Sequence, residues 1–171
     1  MSNPTAFSPV RAIIGFGSNL GDSHQYIRSA ASSLDAHPEC QILAKSSLYR
    51  SAPVGPVPDQ PDFLNSVALI ATSLSPLQLL DLCQAIELAA ARERTVFQGP
   101  RTLDLDLLDF EGQEVNLPPR LIAPHPRAHQ RAFVLVPLAE ILPRWILRGR
   151  SASDWLSDLG PLSVQRLDLP W

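Results

Sequence analysis

Apolar residues recur along this chain with two periods, and the switches between them mark out its elements. Residues 11–17 (RAIIGFG) form a short apolar run that reads as a buried strand. Ser18 to Gly21 makes a turn, Asp22 or Ser23 is placed to cap a helix, and Ile27, Ala30, Ala31 and Leu34 then share one helical stripe. Residues 42–50 and 63–72 read as strands, the second alternating through Val67, Leu69 and Ala71. Ser75, Pro76 and Gln78 compose a capped helix start, and Leu79, Cys83, Ile86 and Ala90 supply that helix's buried stripe. Residues 102–110 return to strand alternation, and 111–114 turn around Gly112 into an extended piece near Val115. An apolar run, FVLVPLAEIL, begins at Phe133, and a short helix over 153–159 is ended by Gly160.

The order β-α-β-β-α-β predicts an α+β fold: a ferredoxin-like sandwich whose antiparallel sheet carries both helices on one face, followed by a C-terminal extension. The other face is left free for a substrate. Residues 1–171 read as one domain, with no internal repeat or linker. GFGSNLG is no dinucleotide fingerprint, because its third glycine comes one residue late and no acidic residue ends a second strand at the expected distance. The loop 51–62 holds Pro53, Pro56, Pro58, Pro61 and Gly55, so it is long but stiff, which favours a functional role.

Chemistry concentrates in GPRTLDLDLL, residues 99–108. Alternate residues of a strand face one side, so Asp104 and Asp106 project together while Leu103, Leu105 and Leu107 line the opposite face. Carboxylates two apart lie roughly 6 to 7 Å from one another along a strand, a spacing that suits a pair of Mg²⁺ ions, and Mg²⁺ suits phosphates. By itself an Asp-x-Asp is better explained by the wet face of a half-exposed strand. Its surroundings are basic, however: of 14 Lys and Arg residues only Lys45 is a lysine, and Arg92, Arg94, Arg101, Arg120, Arg127 and Arg131 all fall near the aspartates. Arginine forks match phosphate oxygens two at a time.

Composition narrows the alternatives. A net charge of -3 speaks against a broad nucleic-acid or anionic-membrane surface. No run approaches the roughly 20 apolar residues of a membrane span, and the first residues lack the pattern of a signal peptide, so a cytoplasmic protein is expected. Cys40 and Cys83 are too few for a disulfide framework and read as reduced thiols. Trp145, Trp155 and Trp171 read as packing anchors, and His125 and His129 flank a proline-broken segment unsuited to a zinc pair.

Several segments taken in order resemble the hydroxymethyldihydropterin pyrophosphokinases of folate biosynthesis: IIGFGSNLGD, YRSAPVGPVPDQPDFLNSV, IELAAARER, GPRTLDLDLL, RLIAPHP and RAFVLVPL. The likeness covers roughly the first 140 residues. It implies transfer of the β,γ-pyrophosphoryl group of ATP to the hydroxymethyl oxygen of 6-hydroxymethyl-7,8-dihydropterin, with release of AMP. It implies that Asp104 and Asp106 hold two Mg²⁺ ions, that either can accept the hydroxyl proton, and that Arg92 and Arg101 grip the phosphates in a catalytic role. Gln84, Glu87, Arg94, Leu107, Arg120, His125 and Arg131 match ATP contacts. Phe63 and Phe133 match the rings that sandwich the pterin, Asn65 the side chain that reads its edge, and Ser51 and Val54 loop positions with mainly backbone contacts. A monomer is expected, with no nucleic-acid or membrane partner.

The departures are concentrated in one place. ERTVFQ, residues 93–98, is one residue shorter than the common pattern and lacks the tryptophan and additional basic residues that precede Gly-Pro-Arg in the family. Phe97 and Gln98 stand where a charge and a stacking surface are usual, Phe63 where a tyrosine is usual, and Pro126 where a tyrosine lies near the nucleotide. Weaker ATP binding or slower chemistry is expected, with the metal site intact. The competing readings are a non-catalytic pterin or nucleotide binder with a degenerate ATP lid, and another Mg²⁺-dependent phosphotransferase or hydrolase.

Overall fold

The computed structural model describes residues 8–90 and 98–171. In chain order the elements are β1 (Val10–Ser18), α1 (Ser23–Ala36), β2 (Cys40–Lys45), β3 (Leu48–Ser51), β4 (Phe63–Thr72), α2 (Pro76–Ala89), β5 (Asp104–Phe110), β6 (Val115–Leu117), β7 (Leu121–Ala123), a 3-10 turn (Ala128–Gln130), α3 (Ala132–Ile141), β8 (Ile146–Leu147), β9 (Arg150–Ser151), α4 (Ala152–Asp158) and β10 (Val164–Leu167). The main sheet runs β10-β3-β4-β1-β5, with β2 paired to the far half of β4, and its pairings are antiparallel.

Local chemistry explains the helix starts. Asp22 accepts from the Gln25 amide at 3.1 Å, so the cap is Asp22 and not Ser23. At α2, Ser75 Oγ accepts from the Gln78 amide and the Gln78 side chain accepts from the Ser75 amide, which closes the expected capping box around Pro76. The predicted strand 42–50 is interrupted at Ser46 and Ser47. There Ser46 Oγ accepts from the Val67 amide at 3.0 Å, a side-chain bond that takes the place of a ladder bond and lets β2 and β3 pair with different parts of β4.

Both long helices cover one face. Ile27, Ala30, Ala31 and Leu34 of α1, with Leu79 and Cys83 of α2, pack on Ala12, Ile14 and Phe16 of β1 and on Leu105 and Leu107 of β5. Cys40 and Cys83 are free, buried thiols. The opposite face is only partly open, unlike the expectation of a bare surface. The apolar run from Phe133 folds as helix α3, whose Val134, Leu135 and Leu138 cover Ile13, Val67, Leu69 and Leu108. A β-bulge at Leu108, where Ile13 pairs with Asp109 but Ile14 with Leu107, turns Asp109 to this covered face. There Asp109 is fully buried and accepts from Trp145 Nε1 at 2.7 Å. Trp155 and Trp171 also anchor by their ring nitrogens, to the carbonyls of Leu147 and Ser46. Among the described residues no helix is long and apolar enough to cross a membrane.

Candidate active site

Where α3 stops, the uncovered part of the same face becomes the floor of a cavity of about 740 Å³, well within the size of small-molecule sites. Strand register builds this floor row by row. Gly17 pairs with Asn65 on one side and Asp104 on the other, and Gly15 pairs with Val67 and Asp106 in the next row. Neighbouring strands lie about 4.8 Å apart, so Asn65 and Asp104 flank a trough about 10 Å wide whose middle strand carries no side chain. A Cβ on Gly17 would stand 3.6 Å from Asn65 Oδ1 and 3.9 Å from the Phe63 ring. Larger side chains at this position would occupy the trough.

One end of the trough is aromatic and amide-bearing. Asn65 is buried and donates from Nδ2 to Ser51 Oγ at 2.7 Å, which directs Oδ1 toward Gly17 as an acceptor. Phe63, Phe133, Ser51 and Val54 line the same cavity, and Val54 is strongly exposed in the proline-rich loop. Each phenylalanine carries an arginine: the Arg101 guanidinium lies 5.7 Å from the Phe63 ring and that of Arg131 5.4 Å from Phe133.

The other end is ionic. Arg101 Nη1 donates to Asp104 Oδ2 at 2.8 Å, and its backbone is clamped by Asn19, whose Oδ1 accepts from the Arg101 amide while its own amide donates to the Arg101 carbonyl. Asn19 Nδ2 also reaches Gln60 and the Pro61 carbonyl, tying the proline loop to the same point. Burial and then the neighbouring Asp104 carboxylate push the Asp106 carboxyl well above the usual range. Burial, with the charges of Arg131 and Arg127, pushes His125 down to about 4. The imidazole is therefore neutral, and because Nδ1 accepts from the Arg127 amide at 3.1 Å, its proton is assigned to Nε2.

Two adjacent carboxylates that resist sharing negative charge fit a divalent cation. Among the described residues no third His, Cys, Asp or Glu joins them. That donor set fits Mg²⁺, which is commonly held by one or two carboxylates with substrate phosphates and water completing the shell.

Of the residues expected at the site, Ser51, Val54, Phe63, Asn65, Arg101, Asp104, Asp106, His125, Arg131 and Phe133 all line this cavity. Gln84, Glu87, Leu107 and Arg120 do not. Gln84 is exposed on α2, Leu107 is in the core, and Arg120 pairs with Asp81 of α2. Glu87 is buried behind the strand, where it accepts from the Leu105 amide at 2.8 Å and so fastens α2 to β5. Arg92 and Arg94 lie outside the described residues. Sequence reasoning passed over Gly17 and Gln130 as lining residues, and placed Arg127 only in the arginine cluster near the aspartates. A glycine alternating with buried apolar residues in a strand was the available signal for the first.

Comparison with known proteins matches this architecture. Residues 13–143 match the family profile of 7,8-dihydro-6-hydroxymethylpterin-pyrophosphokinase (HPPK). The chain is 41% identical over 158 residues to the 2-amino-4-hydroxy-6-hydroxymethyldihydropteridine pyrophosphokinase of Methylorubrum extorquens, covering 92% of this chain and 99% of that protein. It is 48% identical over 133 residues to the protein of the same name from Pseudomonas aeruginosa, covering 78% and 81%. Among solved structures, Plasmodium falciparum HPPK-DHPS with pterin and p-hydroxybenzoate aligns at a TM-score of 0.68 and 14% identity over 90% of this chain. This chain spans 44% of the length of that one, and the likeness shows the fold. Profile and relatives span the trough, both of its ends and the helices behind it, and on that ground the chain belongs to the 7,8-dihydro-6-hydroxymethylpterin-pyrophosphokinase family.

Proposed function

We propose that this chain transfers the pyrophosphoryl group of ATP to 6-hydroxymethyl-7,8-dihydropterin, releasing AMP, in folate biosynthesis, and that the cavity between α3 and the 98–101 segment is where it does so. The row Asn65–Gly17–Asp104 carries the reading. A pterin is flat, rich in donors at one end, and bears its hydroxymethyl group at the other. Laid over Gly17, it meets the Asn65 carbonyl with its donor edge, contacts Phe63 and Phe133 with its faces, and points its hydroxyl toward the aspartates.

In the reaction the hydroxymethyl oxygen gives its proton to Asp104 or Asp106 and attacks the β-phosphorus, the bond from that phosphorus to the α,β-bridging oxygen breaks, and AMP leaves. Asp104 and Asp106 are the residues to hold Mg²⁺, which when bound supplies charge neutralisation and alignment for the triphosphate. Arg101, held in place by Asp104 and by the Asn19 clamp, places a charged donor fork against phosphate oxygens, and Arg131 does so from α3's end of the cavity. His125 contributes a neutral Nε2–H donor in the same wall. The proline-rich loop, fixed to Asn19 through Gln60, limits water above the pterin.

The test is the product set. With ATP, Mg²⁺ and the pterin, AMP and the pterin diphosphate form in equal amounts, and omission of the pterin abolishes AMP. ADP formation, or AMP that ignores the pterin, contradicts the reading, and pterin binding without AMP makes the chain a binding protein instead.

A further inference from the structure

Arg127 is a cation without an anion. It lines the cavity and is exposed there, and among the described residues it makes no ion pair. A charge of its own sign is close by: Arg127 and Arg131 repel one another, and both add to the burial that keeps His125 neutral. The backbone that carries this cation is fixed. The Arg127 amide donates to His125 Nδ1 at 3.1 Å, the His125 amide to the Leu108 carbonyl of β5 at 2.8 Å, and the Arg127 carbonyl accepts from Gln130 at 3.1 Å. Among the described residues three arginines, Arg101, Arg127 and Arg131, thus line the cavity with two aspartates, and of the three only Arg101 has a described carboxylate bonded to it. Such clustering costs free energy in the empty protein and is relieved when an anion of high charge enters.

We propose that Arg127 binds the polyphosphate chain of the nucleotide and supplies positive charge to it from the His125–Arg131 wall. This rests on the pyrophosphokinase reading and adds to it a residue that sets affinity for the phosphate donor. Because Arg127 is exposed, its contribution is screened by salt and appears mainly as affinity for the nucleotide.

The experiment measures equilibrium binding of α,β-methylene-ATP with Mg²⁺, and separately of the pterin, to the full chain and to Arg127→Gln, Arg127→Glu and Arg127→Lys. Arg127→Gln should weaken the nucleotide analogue roughly tenfold, Arg127→Glu more, and Arg127→Lys should restore most of the loss, with pterin affinity unchanged. The salt dependence of analogue binding should become shallower in Arg127→Gln. In turnover, KM for ATP should rise while kcat stays within about twofold. Analogue binding within twofold of the parent in both Gln and Glu variants overturns the proposal. So does a parallel loss of analogue and pterin affinity, which marks a structural role. Failure of the parent chain to make AMP would sink the pyrophosphokinase reading alone, since analogue binding still decides the role of Arg127.

Discussion

At the scale of single residues, Gly17 and Asp106 divide the labour of the cavity. Gly17 matters for the side chain it lacks: Gly17→Val should fill the trough between Asn65 and Asp104 and lower pterin affinity by at least about a hundredfold, while nucleotide affinity changes little. Calorimetry with each ligand checks this, and equal loss of both would place the glycine in folding instead. His125 gives a pH signature. Its folded pKa, about 4, lies below the ordinary 6.5, so the imidazole stays neutral above that range and shows no titration between pH 6 and 8 by NMR. The sign for stability follows: the unfolded chain takes up the proton first, so this contribution is present above the ordinary value and lost as pH falls toward the depressed one. A histidine step near 6.5 in the folded protein would contradict the buried, arginine-flanked placement.

At the scale of elements, capping and alternation carried the sequence reading furthest because both are local. Ser75–Gln78 closes the box its spacing predicts, and Ser75→Ala should cost about 1 kcal/mol in chemical denaturation with unchanged turnover. The strand 102–110 was legible because a period of two puts Asp104 and Asp106 on one face, and they do line the cavity. That alternation ends at the Leu108 bulge, which no residue type announces, so the turning of Asp109 toward Trp145 was not legible. The break at Ser46–Ser47 was missed for a related reason: it depends on a bond to Val67, far along the chain. The run at 133–142 showed its apolarity but not its helix, since α3 is apolar nearly all round and contains Pro137. Which arginines meet the cavity was decided by tertiary placement, so Arg120 and Arg127 look alike in sequence and sit in different surroundings.

At the scale of the whole molecule, α1 and α2 cover one face of the sheet and α3 part of the other, and the uncovered part is the floor of the cavity. The C-terminal residues belong to this arrangement. Trp171 lies edge-on to Phe16 with ring centroids 5.4 Å apart, and its ring nitrogen donates to the Ser46 carbonyl at 2.7 Å, so it packs against the helical side of the strand that carries Gly15 and Gly17. Trp171→Ala should cost about 2 kcal/mol with an unchanged denaturant m-value, because a half-buried aromatic and one hydrogen bond are lost without a change of fold. A loss within 0.5 kcal/mol, about the range of ordinary surface substitutions, would show that the contact contributes little.

The central claim is that one trough separates recognition of the pterin, at Asn65 and the two phenylalanines, from transfer, at the two aspartates. The most direct measurement pairs pterin affinity with AMP formation in Asp106→Ala. Asp106→Ala should fold, bind the pterin within about threefold of the parent and make AMP at least about a thousandfold more slowly at saturating ATP, Mg²⁺ and pterin. Turnover within tenfold of the parent would contradict it.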